Sequence, residues 1–419
     1  MKTLKKAAIG ALRKSERFTG TDMVYLASAG LWTNAQTVTT ALGSFVLYVM
    51  FAHFLPKETY GLYQYLLSLF AIVTTVTLTG MNTAVTRAVA QNHDGILKHS
   101  IRIQLVYGII PTLLGGCIAL YYVIAGNYTI AIGAAIVAVL APLLYTFNTY
   151  NAFLTGKKDF KRNGIFGLTG SFLYYGFLVL AVVLGADVLV LLFINLAVQV
   201  VTHVFFYFVT LRIYKPTEPT DPAAVRYSFH LSAMNFISAL ASQLDNVFAF
   251  HFLGPVALAT YSFATAVPDR LGSISYRFLG NAALPRFSTR SALEIRSKLL
   301  PKVLYGMSIT VIVVAIYTIL AHWFFSVFFA TYMEAVPLSI LYAATVIFNS
   351  GTVLPLTALT ATKKTQAMYV GNLLISGCQV AFPLLGVLTF GIWGLVAGKV
   401  ISSCLAFIIV ITISKVSLK

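Results

Sequence analysis

Five ionisable side chains interrupt strongly apolar stretches of this sequence. They are Asp245, Asp269, Arg270, Arg277 and Lys399. A charge at the centre of a bilayer costs about 3 kcal/mol or more, so such residues usually face a polar interior and indicate a functional site. Two acids, two guanidinium groups and one amine can bind an anion, form ion pairs or carry a coupling ion.

Arg270 and Arg277 are separated by two turns of a helix, so both lie on one helical face. Ser273 and Asn281 lie along the same face. The sequence offers few acidic residues near these two arginines, and guanidinium groups bind phosphate in a bidentate manner. The pattern therefore predicts a binding face for an anionic ligand, with phosphate as the favoured group.

Asp245 and Lys399 each lie about eight residues from the predicted outer end of their segment, which corresponds to a depth of about 12 Å. We expect them to pair. The pair either gates or couples transport to an ion, H⁺ or Na⁺, or only fixes helix packing. Asp269 points about 100° away from Arg270 on a helix, so we expect it to pair with a different residue. We assign Asp269 to the same gating or coupling group as Asp245 and Lys399.

Long apolar segments carry these residues. The chain has 419 residues, of which 58% are hydrophobic and 10% are charged, whereas soluble proteins have about 25% charged residues. The pattern predicts an all-α polytopic membrane protein with twelve transmembrane helices. The predicted spans are 23–54, 60–86, 103–125, 128–155, 164–185, 188–211, 227–253, 256–285, 303–329, 336–361, 366–389 and 391–414.

The basic residues indicate the orientation. Of the 29 Lys and Arg residues, 25 fall in the two termini and in alternate loops. The positive-inside rule then predicts a cell-membrane protein with both termini cytoplasmic. Topology explains the net charge of +17, so no nucleic-acid partner is expected. The loops are too short for a folded domain, and no phosphate-binding G-x-x-x-x-G-K-[ST] motif occurs, which argues against ATP hydrolysis.

A repeated turn indicates internal duplication. HFLPKETYGLY at residues 53–63 returns as HFLGPVALATY at residues 251–261. Six predicted spans separate the two copies, and an even number gives both halves the same orientation, as in parallel repeats. We therefore expect two parallel six-helix lobes around a central cavity. The lobes are residues 1–212, with a basic cytoplasmic tail, and 227–419, joined by a cytoplasmic linker at 213–226.

Matched polar residues follow the leading helix of each half. The first helix has Asn34, Thr37, Thr40 and Ser44, and the seventh has Ser232, Asn235, Ser238 and Ser242 at the aligned positions. These residues either line a shared cavity or hydrogen-bond between tightly packed helices. Arg87, at the cytoplasmic end of the second span, either extends to the interface or forms the mouth of the cavity.

Three stretches carry a resemblance to a known family. FLPKETYGLYQYLLSLFAIV closely resembles the turn between the first two helices of Wzx-type polysaccharide-biosynthesis membrane proteins, which belong to the multidrug/oligosaccharidyl-lipid/polysaccharide exporter superfamily. QLDNVFAFHFLGPVALATYSFATAVP resembles the seventh-to-eighth helix segment of that family, and GIWGLVAGKVIS resembles part of its last helices. The second turn departs from the pattern, because Ala259 replaces the turn glycine.

The resemblance implies a flippase that moves a polyprenyl-diphosphate-linked oligosaccharide from the cytoplasmic to the outer leaflet by alternating access. Its partners would be the lipid-linked substrate, the bilayer, glycosyltransferases and a polysaccharide polymerase, and the protein would act as a monomer without a cofactor other than a coupling ion. An ion-coupled drug or metabolite exporter of the same superfamily is the main alternative. A major-facilitator transporter and a membrane enzyme are less consistent with the loops, because neither a Gly-x-x-x-Asp-Arg-type signature nor a long outer loop occurs.

Overall fold

The computed structural model describes residues 23–217, 222–288, 292–362 and 364–417. For some helical residues, including 234–235 and 275–286, it describes only the backbone. The described residues form helices and connecting turns without a strand, as the apolar segments predict. The α-helices are α1 Met23–Phe54, α2 Lys57–Thr75, α3 Met81–Ala90, α4 Ile96–Tyr107, α5 Ile109–Ile124, α6 Tyr128–Phe147, α7 Thr149–Gly156, α8 Phe160–Val183, α9 Val188–Tyr214, α10 Pro222–Ala241, α11 Leu244–Phe248, α12 Pro255–Ser288, α13 Ala292–Phe328, α14 Ala335–Ala361 and α15 Thr365–Ser417.

Eight helical stretches among the described residues are long and apolar enough to cross a membrane. Several expose large apolar side chains over much of their length, such as Ile124 and Ile319. In water such exposure would be costly, whereas lipid tails solvate it. The chain is therefore a multi-pass helical membrane protein. The count of twelve spans stays a prediction.

The chain forms two compact units. The first unit contains Met1–Met50, Val76–Ala186 and Val190–Ser232, and the second contains Phe51–Thr75, Asp187–Leu189 and Ala233–Lys419. Helix α2 thus belongs to the second unit, although most of the first unit follows it in sequence. The predicted lobes at 1–212 and 227–419 stay a prediction.

The second predicted span is interrupted. Helix α2 ends at Thr75 and α3 begins at Met81, so the span expected over 60–86 consists of two helices. Gly80 lies in the interruption, where a Cβ would be 2.5 Å from the carbonyl oxygen of Ser228. Its N–H donates a hydrogen bond of 2.9 Å to Ser232 Oγ. This bond satisfies a backbone donor that the broken helix leaves without its usual acceptor.

The last helix contains a sharp break. Within α15 the backbone is non-helical at Phe390 and at Gly391, where φ is 60°. A positive φ of this size is readily adopted only by glycine. The break coincides with the boundary predicted between the last two spans. Close contacts between Gly386 and Gly394 then hold the two parts of α15 together, since a Cβ on either would meet the other's carbonyl oxygen within about 2.0 Å.

The core of the first unit lies where α3, α4, α7 and α9 meet. Its fully buried residues include Met81, Val85, Ile96, Leu97 and Phe153. Gly156 permits this packing, because a Cβ there would be 2.8 Å from the carbonyl oxygen of Thr86. The core fixes α3 and α7 side by side.

In the second unit, α2 packs against α12, and α12 packs against α14. Gly61 makes the first contact possible, because a Cβ at this position would be 1.8 Å from the carbonyl oxygen of Pro255. Gly61 comes from the first copy of the repeated turn, and Pro255 comes from the second. Tyr60 and Phe263 continue the contact, with their ring centroids 4.9 Å apart.

Candidate functional site

A buried carboxylate is the centre of the charged cluster in the second unit. Asp245 lies in α11 and is 6% exposed. Its Oδ2 atom accepts hydrogen bonds from Lys399 Nζ at 2.8 Å and from the Tyr261 hydroxyl at 2.7 Å. Its Oδ1 atom is buried and has no hydrogen-bond partner among the described residues. The predicted pairing of Asp245 with Lys399 is therefore confirmed.

Irregular backbone positions this carboxylate. Helix α11 has five residues and continues into a π-helical turn at Ala249–Leu253, which ends at Gly254 with φ of 86°. Lys399 reaches Asp245 from α15, where Gly398 lies so close to the other part of the helix that a Cβ would be 2.4 Å from the carbonyl oxygen of Phe382. Small residues thus bring the amine to the acid.

Two tyrosines extend the cluster to a second acid. The rings of Tyr261 and Tyr342 meet edge to face, with centroids 6.3 Å apart. The Tyr342 hydroxyl donates to Asp269 Oδ1 at 3.0 Å. Asp269 therefore pairs away from Arg270, as its position on the helix predicts. Lys399, Asp245, Tyr261, Tyr342 and Asp269 form what we call the acid–tyrosine cluster.

The two tyrosines were not predicted as site residues, although Tyr261 lies in a stretch that carries the family resemblance. Tyr261 occurs in the repeated turn and Tyr342 in an apolar segment, and both resemble the many interfacial aromatics of the chain. Both are almost completely buried. A buried hydroxyl normally requires a hydrogen-bond partner, and here the partners are the acids that the sequence did single out.

The predicted anion-binding face on α12 is only partly described. Arg270 is exposed on this helix. The Ser273 hydroxyl donates to the carbonyl oxygen of Arg270 at 2.8 Å, within its own helix. The side chains of Arg277 and Asn281 lie outside the described residues. The phosphate-binding role of these residues stays a prediction.

The polar residues of the leading helices differ in their surroundings. Asn34 and Thr37 are exposed on α1, and the Thr37 hydroxyl donates to the carbonyl oxygen of Thr33 at 2.9 Å. Ser242 is exposed and donates to the carbonyl oxygen of Ala239 at 2.7 Å. The side chain of Asn235 lies outside the described residues.

A polar cavity opens in the first unit between α3 and α7. Its volume is about 540 Å³, and Arg87 is part of its lining. A second cavity of about 410 Å³ adjoins it, because Asn148 and Asn151 line both. Of this region the sequence indicated only Arg87. Asn148 and Asn151, near the end of the fourth predicted span, were the polar residues that could have indicated this cavity.

An ion pair outside the membrane-spanning segments connects three helices of the second unit. Lys57 Nζ lies 2.8 Å from Glu334 Oε1, and the Thr260 hydroxyl donates to the same oxygen at 2.8 Å. The hydrogen bond from Lys57 has the largest effect and lowers the pKa of Glu334; burial opposes it, and the hydrogen bond from Thr260 adds to the lowering. The sequence placed Lys57 and Glu334 in outer loops without predicting that they pair.

Among the described residues, no group of three or more His, Cys, Asp or Glu side chains is arranged to hold a metal ion. The three cysteines, Cys117, Cys378 and Cys404, are free thiols.

Solved structures of transporters share this fold. An inward-facing multidrug resistance MATE family transporter of the MOP superfamily has a TM-score of 0.72 at 17% identity, covering 90% of this chain and 94% of its own. The lipid II flippase MurJ, in an inward closed conformation, has a TM-score of 0.69 at 12% identity, covering 91% and 87%. A MOP superfamily transporter from Pyrococcus furiosus has a TM-score of 0.66 at 16% identity, covering 94% and 95%.

A comparison with curated proteins found no match. A family model described as "Polysaccharide biosynthesis protein" matches residues 26–291, which is more than half of the chain. Of these structural neighbours, two are described as transporters and one as a flippase. The chain belongs to the polysaccharide biosynthesis protein family.

Proposed function

We propose that this protein is a flippase for a polyprenyl-diphosphate-linked oligosaccharide, which it moves from the cytoplasmic to the outer leaflet by alternating access. In this proposal twelve transmembrane helices form two six-helix lobes, both termini are cytoplasmic, and the protein acts in the cell membrane as a monomer. Glycosyltransferases supply its substrate, and a polysaccharide polymerase uses the product.

The acid–tyrosine cluster beside Arg270 is the observation that supports this function most. Asp245 is already neutralised by Lys399 at 2.8 Å and hydrogen-bonded to Tyr261. Arg270 directly follows Asp269 and is exposed, and Arg277 follows Arg270 by two helical turns. We propose that Arg270 and Arg277, assisted by Ser273 and Asn281, hold the diphosphate of the substrate.

We further propose that Asp245 couples transport to H⁺ or Na⁺. Its buried Oδ1 atom has no partner among the described residues, and a buried carboxylate oxygen without a partner is costly unless a proton or cation occupies it at some stage. Lys399 and Asp245 both belong to the second unit. Loss of their bond on protonation would therefore change packing within that unit.

The experiment that tests the function is a flipping assay in proteoliposomes that contain the full-length protein and a fluorescent short-chain polyprenyl-diphosphate disaccharide. A membrane-impermeant quencher reports how much of the lipid reaches the outer leaflet. Wild-type protein should accelerate the exchange, whereas Arg270→Ala should lower the rate by at least tenfold and Arg270→Lys less. Ser308→Ala, on an exposed hydroxyl of α13, is the matched control.

Absence of flipping by wild-type protein, or normal flipping by both Arg270→Ala and Arg277→Ala, would contradict the proposal. The ion-coupled exporter is the second candidate, because Asp245 is an acid that can bind H⁺ or Na⁺. Extrusion of a fluorescent organic cation from the same vesicles in response to a pH gradient, with no flipping of the lipid, would favour it.

A further inference from the structure

The polar cavity of the first unit contains one cation and no acid. Helix α3 supplies Arg87, and no carboxylate belongs to the lining. Within the described part of the chain, no acid lies within ion-pairing distance of this guanidinium, whose recorded contact is with the Tyr227 ring at 5.5 Å. Arg87 is exposed, so its N–H groups are available to a ligand. The remaining polar lining is Asn82, Thr83, Thr86, Asn148, Asn151 and Thr155.

Hydrogen bonds behind the lining fix the direction of its donors. Asn163 Nδ2 donates to Asn151 Oδ1 at 3.0 Å and to Thr155 Oγ1 at 3.2 Å. The oxygen of Asn151 is therefore occupied, and its NH₂ group remains as a donor. Asn148 is half-buried, and its side-chain amide makes no hydrogen bond to the described residues. The cavity is thus lined by a guanidinium, the amides of Asn148 and Asn151, and Asn82, whose buried Oδ1 has no hydrogen-bond partner among the described residues.

The adjoining cavity has a different character. Aromatic rings form much of its wall, including Tyr145, Tyr150, Tyr174 and Phe166, together with the amides of Gln36 and Gln199. Aromatic faces pack against the C–H surface of a sugar ring, while amides bond its hydroxyls. Volumes of about 540 and 410 Å³ fall within the range of about 300–1,000 Å³ found for small-molecule sites.

We propose that the two adjoining cavities bind the glycan of the transported lipid, and that the sugar beside Arg87 carries a negative charge, as a carboxylate or a phosphate. The inference rests on the proposed flippase function and specifies its substrate class. The neutral sugar next to it packs against the tyrosines of the adjoining cavity. Arg87 belongs to the first unit, whereas Arg270 belongs to the second.

Saturation-transfer-difference NMR on the full-length protein in lipid nanodiscs tests the proposal. The probes are D-glucuronate, D-glucose 6-phosphate and D-glucose at equal concentration, with inorganic phosphate as a competitor. Wild-type protein should bind the two charged sugars about tenfold more tightly than glucose, because hydrogen bonds to a charged group are stronger than those to a neutral hydroxyl. Phosphate alone should displace them only at a much higher concentration.

Arg87→Gln should lower the affinity for both charged sugars to that for glucose, and Arg87→Lys should retain part of the preference. Asn148→Ala provides a second variant without a charge change, and it should weaken the binding of all three sugars about equally. Arg162→Gln is the matched control. It removes an arginine of the same unit that lies outside the cavity lining, 3.1 Å from the Asp159 carboxylate, and should leave all affinities unchanged.

Equal binding of glucuronate and glucose by wild-type protein would overturn the proposal, as would an equal loss in Arg87→Gln and Arg162→Gln. Displacement by phosphate at equal concentration would also overturn it, because the site would then bind an anion only. The flipping assay separates the two proposals. Charged-sugar binding without flipping contradicts the transport function alone, whereas flipping without a preference for charged sugars contradicts the glycan site alone.

Discussion

Lys399 donates to Asp245 at 2.8 Å from a different helix, and both side chains are largely buried, at 14% and 8% exposure. Removal of one member of a buried ion pair leaves an uncompensated charge, which costs about 3–5 kcal/mol. Lys399→Met should therefore lower the free energy of unfolding by that amount. Chemical unfolding in detergent measures it.

The double variant Lys399→Met with Asp245→Asn should recover most of the lost stability, because neither member of the pair then carries a charge. Lys415→Met, at an exposed lysine near the C-terminus, is the control for loss of one positive charge. If the double variant were no more stable than Lys399→Met, the ion pair would not be the cause.

Tyr261 donates the second hydrogen bond to Asp245 Oδ2, at 2.7 Å. Tyr261→Phe removes this donor and keeps the ring. A hydrogen bond to a charged group contributes about 1.5–3 kcal/mol, so unfolding should require that much less free energy. Tyr305→Phe, at a tyrosine that is 71% exposed, should change stability by less than about 0.5 kcal/mol. Similar effects of the two substitutions would mean that the bond to Asp245 contributes nothing.

The sequence predicted the class of fold because apolar segments of this length have few alternatives to membrane-spanning helices. It also predicted that Asp245 and Lys399 pair, because two opposite charges at one depth in a membrane have few other partners. The break between α2 and α3 was not predicted. Its hydrogen bond joins Gly80 to Ser232, far apart in sequence, and this tertiary contact leaves no local pattern.

The cavity of the first unit could also not be predicted from the sequence. Arg87 was a candidate, but its neighbours Asn148 and Asn151 come from the far end of another predicted span. The amide of Asn151 acquires a direction only through Asn163. Polar residues at helix ends are common, so spacing alone does not distinguish a ligand-binding amide from one that bonds to a neighbouring helix.

Gly61 permits the contact between the two copies of the repeated turn. A Cβ at this position would be 1.8 Å from the carbonyl oxygen of Pro255, which is backbone and cannot rotate away. Gly61→Ala should therefore separate α2 from α12 and destabilise the protein by about 1–3 kcal/mol or more. Thermal unfolding in detergent measures the effect.

Gly116→Ala is the matched control for that substitution. Gly116 lies inside α5, and a Cβ there would meet nothing within 4 Å. Alanine is a better helix former than glycine by about 1 kcal/mol, so this variant should be unchanged or slightly more stable. A loss of stability in Gly116→Ala as large as in Gly61→Ala would show that the contact with Pro255 is not responsible.

The ion pair between Lys57 and Glu334 should make stability depend on pH. Lys57 lowers the pKa of Glu334 in the folded protein, whereas an unfolded glutamate has a pKa of about 4.3. A lowered pKa means that the folded state binds the proton less tightly, so the pair stabilises the fold above the unfolded pKa. This contribution is lost as the pH falls through the folded pKa. The unfolding temperature of wild-type protein should therefore exceed that of Glu334→Gln at pH 7, and the two should converge in acid.

Because the Glu334 side chain is 54% exposed, the difference should also shrink in high salt. A constant difference across pH would mean that the charge of Glu334 is not what stabilises the contact with Lys57.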